Sequence, residues 1–193
     1  MTKFAIGCTH WGHKNICGPT LSSWKDGYRN YSSLEEMNED IYSKINSRVG
    51  EDDELYHLGD VAFGDKKLIP YHLSRLNCKN VYLIYGNHDG RIRESEEYQK
   101  CFKWCKDYHE FFHHGTLITM MHYPIGSWNG QAGGAINIHS HCHGSYTRTI
   151  GRQIDVGFDA FGKFPVNLEI LVKDMRKIDP FSVDHHTKDT PIY

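Results

Sequence analysis

The chain has 193 residues, 39% hydrophobic and 24% charged, enough apolar surface for one buried core and too much for a disordered tail. Its 22 Lys and Arg against 24 Asp and Glu give a net charge of -2, which excludes the basic field of a long nucleic-acid binder but leaves a single nucleotide open as a substrate. No apolar run approaches the roughly 20 residues of a membrane span, and MTKFAIGCTH lacks the apolar stretch of a secretory signal, so the expectation is a soluble, cytoplasmic protein with no membrane partner.

In chain order, residues 3–8 read as a strand opening into the polar loop Thr9-His10-Trp11-Gly12-His13. A Gly/Ser/Asn-rich segment to about Tyr31 reads as a long loop. Ser33 with Glu36 makes a capping box, and Leu34, Met37, Ile41, Ile45 and Val49 share one face of the helix that follows, with Gly50 as its stop. Residues 54–58 form a short strand ending in Gly59-Asp60, and a helix begins near Pro70 and runs through Leu73 and Leu76. Residues 81–85 are a strand ending in Gly86-Asn87-His88-Asp89, and 95–105 read as another helix. Strands then predominate, at 116–121, 135–138 and 152–156, while 167–173 fits strand or helix. Residues 1–177 are expected to form one domain and 178–193, polar and Pro-containing, a loosely held tail.

Six Cys occur singly, without the spacing of a disulfide framework, and read as reduced thiols. The 14 His are many for this length, and several are grouped: His10 with His13, His113 with His114, His139 with His141 and His143, His185 with His186. Alternation along a strand would project the imidazoles of 139, 141 and 143 together, an arrangement suited to metal and unsuited to a plain core. His72, His109, His113, His114, His185 and His186 lack such a context and read as surface or packing residues. Apolar runs end directly in potential ligands at Cys8-Thr9-His10, Gly59-Asp60, Asn87-His88-Asp89, His122 and His139 to His143. In open α/β sheets the site lies beyond the carboxyl ends of the strands, so these loops should converge.

In this order the segments resemble the calcineurin-like metallophosphoesterase superfamily, whose pattern is D-x-H, G-D, G-N-H-D/E, a single H, then G-H-x-H. The text around them, Thr9-His10-Trp11-Gly12-His13-Lys14-Asn15-Ile16 and Tyr56-His57-Leu58-Gly59-Asp60-Val61-Ala62, is similar to that of small bacterial and phage members. The resemblance covers about residues 3–172 and implies an α/β fold, a four-layer α-β-β-α sandwich with two divalent ions at one end of the sheets. Mn²⁺ is the first expectation, with Zn²⁺ or Fe as alternatives. Carried over, it places one ion on His10, Asp60, His143 and whatever stands at position 8, and the other on Asp60, Asn87, His122 and His141, with Asp60 bridging. A metal-bridging hydroxide would attack phosphorus, His88 would protonate the leaving group, and Asp89 would orient His88.

The sequence departs from the pattern at two places: Ser140 stands for a Gly, and Cys8 for the first Asp. As a thiolate, Cys8 is a softer donor that favours zinc-like ions over manganese; as a protonated thiol it stands unligated, or it is a substitution that blocks turnover, and the sequence does not distinguish these. The resemblance therefore implies a phosphoesterase acting on a small phosphomonoester or phosphodiester, a nucleotide among the candidates. The alternative is a catalytically weakened metal-binding module of the same fold. A metallo-β-lactamase-like hydrolase fits poorly, because its H-x-H-x-D-H comes early and the histidine cluster here comes late. The loops at about 17–31 and 123–134 are expected to shape the substrate site, their Trp24 and Trp128 either stacking on a base or packing the loops down; the substrate's identity and the oligomeric state the sequence leaves open.

Overall fold

Alternating apolar residues send side chains to both faces of the early strands, so the first sheet needs a cover on each side. The structure, a computed structural model, describes residues 1–193 except 24, 26, 66, 182 and 184–193. Its first half holds β1 (Lys3–Ile6), α1 (Lys14–Cys17), α2 (Leu34–Asn46), β2 (Glu54–His57), α3 (Leu68–Ser74) and β3 (Asn80–Ile84). There follow α4 (Gly90–Arg93), α5 (Glu96–Gln99), β4 (Cys105–Lys106), β5 (Tyr108–His113), β6 (Thr116–Met121), β7 (Ile136–His139), β8 (Gln153–Asp155), β9 (Val166–Asn167) and α6 (Leu168–Met175). One sheet has the order β4-β3-β2-β1-β9, parallel except for β9; the other runs β5-β6-β7-β8, antiparallel only between β5 and β6.

Phe4, Ile6, Leu55, Val81 and Leu83 pack with Met37, Ile41 and Ile45 of α2. Ala5, Tyr56, Leu58 and Ile84 turn the other way and meet Ile118, Met120, Ile136 and Ile138 of the second sheet, with Leu168, Leu171 and Val172 of α6. Two sheets face to face, flanked by helices, are the α/β sandwich that the resemblance implies. Burying Met37, Ile41 and Ile45 fully contributes about 5–9 kcal/mol at roughly 1.5–3 kcal/mol each. Among the described residues no helix is long and apolar enough to cross a membrane.

Several elements differ from expectation. The Ser33 hydroxyl caps α2 by accepting from Glu36 N at 3.0 Å, but the Glu36 carboxylate reaches back to Ser32 N rather than Ser33 N. The helix ends at Asn46, not Gly50; Val49 N still bonds the Ile45 carbonyl at 2.9 Å, which keeps Val49 in the core. The helix expected at 95–105 shrinks to one turn. Lys103 N instead bonds Val81 O and Leu83 N bonds Trp104 O, because the open edge of β3 needs partners for its backbone groups. Strand β5 was not anticipated, since its half-buried alternation is weak. The ambiguous stretch at 167–173 is the end of a strand followed by a helix, with Asn167 Oδ1 accepting from Glu169 N and Ile170 N. Most of the predicted tail, together with Trp24, His185 and His186, lies outside the described residues.

Candidate metal centre

The parallel strands β1, β2 and β3 end side by side, and a bridge between Gly7 and Gly157 brings the end of β1 against the segment after β8. Beyond β1 and β2 the two chains stay zipped: Cys8 N bonds Gly59 O at 2.8 Å, His10 N bonds Asp60 O at 3.0 Å and Trp11 N bonds Val61 O at 3.0 Å. Neither Gly59 nor Gly86 could carry a side chain. A Cβ on Gly59 would lie 2.6 Å from both Gly86 Cα and His122 Nδ1, so these glycines let two loops close around Asp60.

Strand alternation is not what aims the side chains. Cys8, His10, Asp60, His141 and His143 all have left-handed backbones, with φ of 53°, 51°, 58°, 66° and 50°. Such residues cost on the order of 1–3 kcal/mol each and persist where the surroundings over-determine them. Here the turns fold Cys8, His10 and His143 into one group whose donor atoms lie within 4.8 Å of one another, and Cys8, Asp60 and His122 into a second. His139, expected to join His141 and His143, is the last residue of β7. It is fully buried, with Nδ1 on the Ser140 carbonyl, and belongs to neither group.

The converging donor groups could hold a cation. His122 donates Nδ1–H to Leu58 O at 2.6 Å, and its Nε2 faces Asn87 Oδ1 at 3.0 Å and Asp60 Oδ2 at 3.4 Å. His143 donates Nδ1–H to Asp159 Oδ2 at 2.7 Å, and its Nε2 faces His10 Nε2 at 3.2 Å. His10 Nε2 is in turn 3.8 Å from Asp60 Oδ2. Groups converging in this way are held together either by a proton, as on a cationic His122, or by a divalent ion between them, and the N, O and S donor set suits a transition metal.

Charge follows the same logic. Burial opposes ionisation of Asp60, but His122, His10 and the His88 N–H, 2.9 Å from Oδ1, hold it well below the usual carboxylate range. Burial likewise works against protonated His122, yet the Asp60 carboxylate wins and raises it. Burial pushes His10 well below its ordinary value, and burial with the neighbouring His122 lowers His141. The Cys8 thiol is driven up by burial and by Asp60, and its Sγ accepts from His141 N at 3.2 Å. Ser140, the other departure from the pattern, sits beside it. Its hydroxyl donates to Leu58 O at 2.5 Å, its backbone is not left-handed, and it fills the space left by the absent Cβ of Gly7.

A cleft of about 500 Å³ opens over this floor, lined by His10, His13, Asp60, Asn87, His88, His141 and His143, with Ile16, Gly27, Cys142 and Ser145 at its edges. The His88 ring stands against Phe63 at 4.5 Å and 5.8 Å from His10, outside both ligand groups. Asp89 does not hold His88 as anticipated. Its carboxylate is buried and accepts three backbone N–H bonds, from Asp60 at 2.8 Å, Val61 at 3.0 Å and Gly86 at 2.8 Å, so it clamps two loops together instead. Trp128 likewise packs its loop down, donating to Ala135 O, and does not line the cleft. Sequence reasoning missed Arg29 and Asp159. A His ligand's need for an acceptor on its far nitrogen predicts some such carboxylate, but nothing in the sequence says which.

A family model of calcineurin-like phosphoesterases matches residues 1–188. The chain is 27% identical over 182 residues to the uncharacterized protein MJ1445 of Methanocaldococcus jannaschii, covering 90% of this chain and 91% of that one. Its fold is similar to the crystal structure of AQ665, a protein of unknown function from Aquifex aeolicus, with a TM-score of 0.64 at 22% identity over 89% of this chain and 98% of that one.

Proposed function

The chain belongs to the calcineurin-like phosphoesterase family, and from that premise we propose that it hydrolyses a small phosphomonoester or phosphodiester of about nucleotide size at a binuclear metal centre. His10, His143, Asp60 and Cys8 would hold one ion and Asp60, Asn87, His122 and His141 the other. The observation that carries this reading is the convergence of His122 Nε2, Asn87 Oδ1 and Asp60 Oδ2 beside the facing Nε2 atoms of His10 and His143. Divalent ions there supply Lewis acidity toward phosphate and water.

The chain's own groups do the rest. Leu58 O and Asp159 fix the tautomers of His122 and His143, so that both present Nε2 to the floor. The cleft of about 500 Å³ is in the range of small-ligand sites and admits a phosphoester with one nucleoside-sized arm. His88, on the wall and outside the ligand groups, donates the proton that the leaving alkoxide oxygen takes up. Cys8 favours a second reading, a metal-binding module with weakened turnover, because a buried thiol stands where the resemblance has a carboxylate.

The test is hydrolysis of bis-p-nitrophenyl phosphate and of an alkyl phosphoester with added Mn²⁺ or Zn²⁺, using His88→Ala and Asp60→Ala. His88→Ala should keep its metal and lose about 10²–10⁴-fold in kcat on the alkyl ester, and less on the nitrophenyl ester, whose leaving group needs no proton. Asp60→Ala should lose most bound metal. No turnover by the unaltered protein with either metal would favour the binding module.

A further inference from the structure

Arg29 lies in the segment read as a plain loop, yet it is 4% exposed and its guanidinium is almost fully used. Nη1 donates to the Thr9 carbonyl at 2.7 Å and Nη2 to the Cys8 carbonyl at 2.6 Å. Nε and Nη2 form a fork onto Asp159 Oδ1 and Oδ2 at 2.9 Å each. Asp159 Oδ2 also accepts His143 Nδ1–H at 2.7 Å. The guanidinium carbon stacks 4.6 Å from the Phe158 ring, and Arg29 N is tied to Ile16 O, so the group has little freedom.

We propose that Arg29 is the positioning residue of the first metal position, joining the Cys8–Thr9 turn to Asp159 and thereby fixing Cys8, His10 and His143 relative to one another. The inference rests on the binuclear reading above. The turn it grips is strained, with Cys8 and His10 both left-handed, and carbonyl ties at 8 and 9 hold it in that shape. The same guanidinium grips both Asp159 oxygens, and Asp159 Oδ2, accepting His143 Nδ1–H, fixes the His143 tautomer so that Nε2 is the free donor. Arg29's hydrogen bonds reach none of Asp60, Asn87, His122 or His141, so the second position should be insulated from its loss.

The experiment is a Co²⁺ titration of the metal-free full chain, read by d–d absorption and calorimetric stoichiometry. The unaltered protein should bind two ions. Arg29→Ala should weaken one class about 10–100-fold and leave the other in place, with Arg29→Lys intermediate. A merely structural role is separated by coupling. Adding Arg29→Ala to His143→Ala should cost clearly less than Arg29→Ala alone, the remainder being its hold on the Cys8–Thr9 turn, whereas its effect should add to that of His122→Ala. Should Arg29→Ala not fold, Asp159→Asn, nearly isosteric, carries the same expectation at the same class. Both classes intact, both weakened equally, or full additivity with His143→Ala would overturn the proposal. An unaltered protein that binds no Co²⁺ at these residues would overturn the binuclear reading, and this inference with it.

Discussion

Asp89→Asn separates a clamp from a catalytic orienter. In the structure Oδ2 accepts from Asp60 N and Gly86 N, and Oδ1 from Val61 N. Asparagine keeps the shape but offers one acceptor, so its best placement keeps the two-donor position and turns Nδ2 against the Val61 N–H. One bond is then lost to a donor–donor contact, at roughly 1–3 kcal/mol, and two charge-assisted bonds become neutral ones, at about 1 kcal/mol each. Relief from burying a charge, the force that raises Asp89's pKa, offsets part of this. The net loss is about 2–4 kcal/mol, and at roughly 2–4 °C per kcal/mol for a chain of this size Tm should fall by about 5–15 °C. Thermal denaturation of the metal-free protein measures it, with metal affinity falling in parallel because Asp60 N is one of the clamped donors. A Tm within about 2 °C of the unaltered protein, with turnover alone reduced, would refute the clamp and return Asp89 to His88.

Cys8→Asp replaces a soft donor by a hard one beside His10 and His143, so competition binding should shift preference from Zn²⁺ toward Mn²⁺ and Mn²⁺-dependent hydrolysis should rise; unchanged preference would mean that Cys8 is not a ligand. Burial lowers His72 to about 4, while the unfolded chain takes up that proton near 6.5. Stability of the metal-free protein should therefore be fullest above about pH 6.5 and decline as pH falls toward 4, with a shallower decline in His72→Phe; equal slopes in urea unfolding would exclude His72 as a source. A Cβ on Gly7 would lie 2.6 Å from Ser140 Cβ and 3.2 Å from Leu58 Cβ, so Gly7→Ala should cost about 1–3 kcal/mol in urea unfolding, much of it recovered in a Ser140→Gly background. No recovery would place the clash elsewhere.

The chemistry-bearing residues were legible because each stands at the end of an apolar run, where a strand must stop and expose polar side chains. Cys8, His10, Asp60, Asn87, His88, His122, His141 and His143 lie in the segments that pattern picks out, the family resemblance singles them out within those segments, and the structure brings them around one floor. The helix face of Met37, Ile41 and Ile45 and the strand at 116–121 were legible for the same local reason, a period matched to the element.

Tertiary structure decided how those residues are aimed. Alternation predicted that His139 would share a face with His141 and His143, but β7 ends at His139 and left-handed turns carry the next two into the site. Asp89, adjacent to His88 in sequence, turns instead to the backbone N–H groups of Asp60 and Val61 in another loop and of Gly86 in its own. Arg29 reaches Asp159 across 130 positions, and no local pattern encodes a partner so distant. Sequence period reports which side chains must be buried or exposed along one element. Which polar groups satisfy one another is set only when loops from different strands are packed together and each buried donor and acceptor must find a partner.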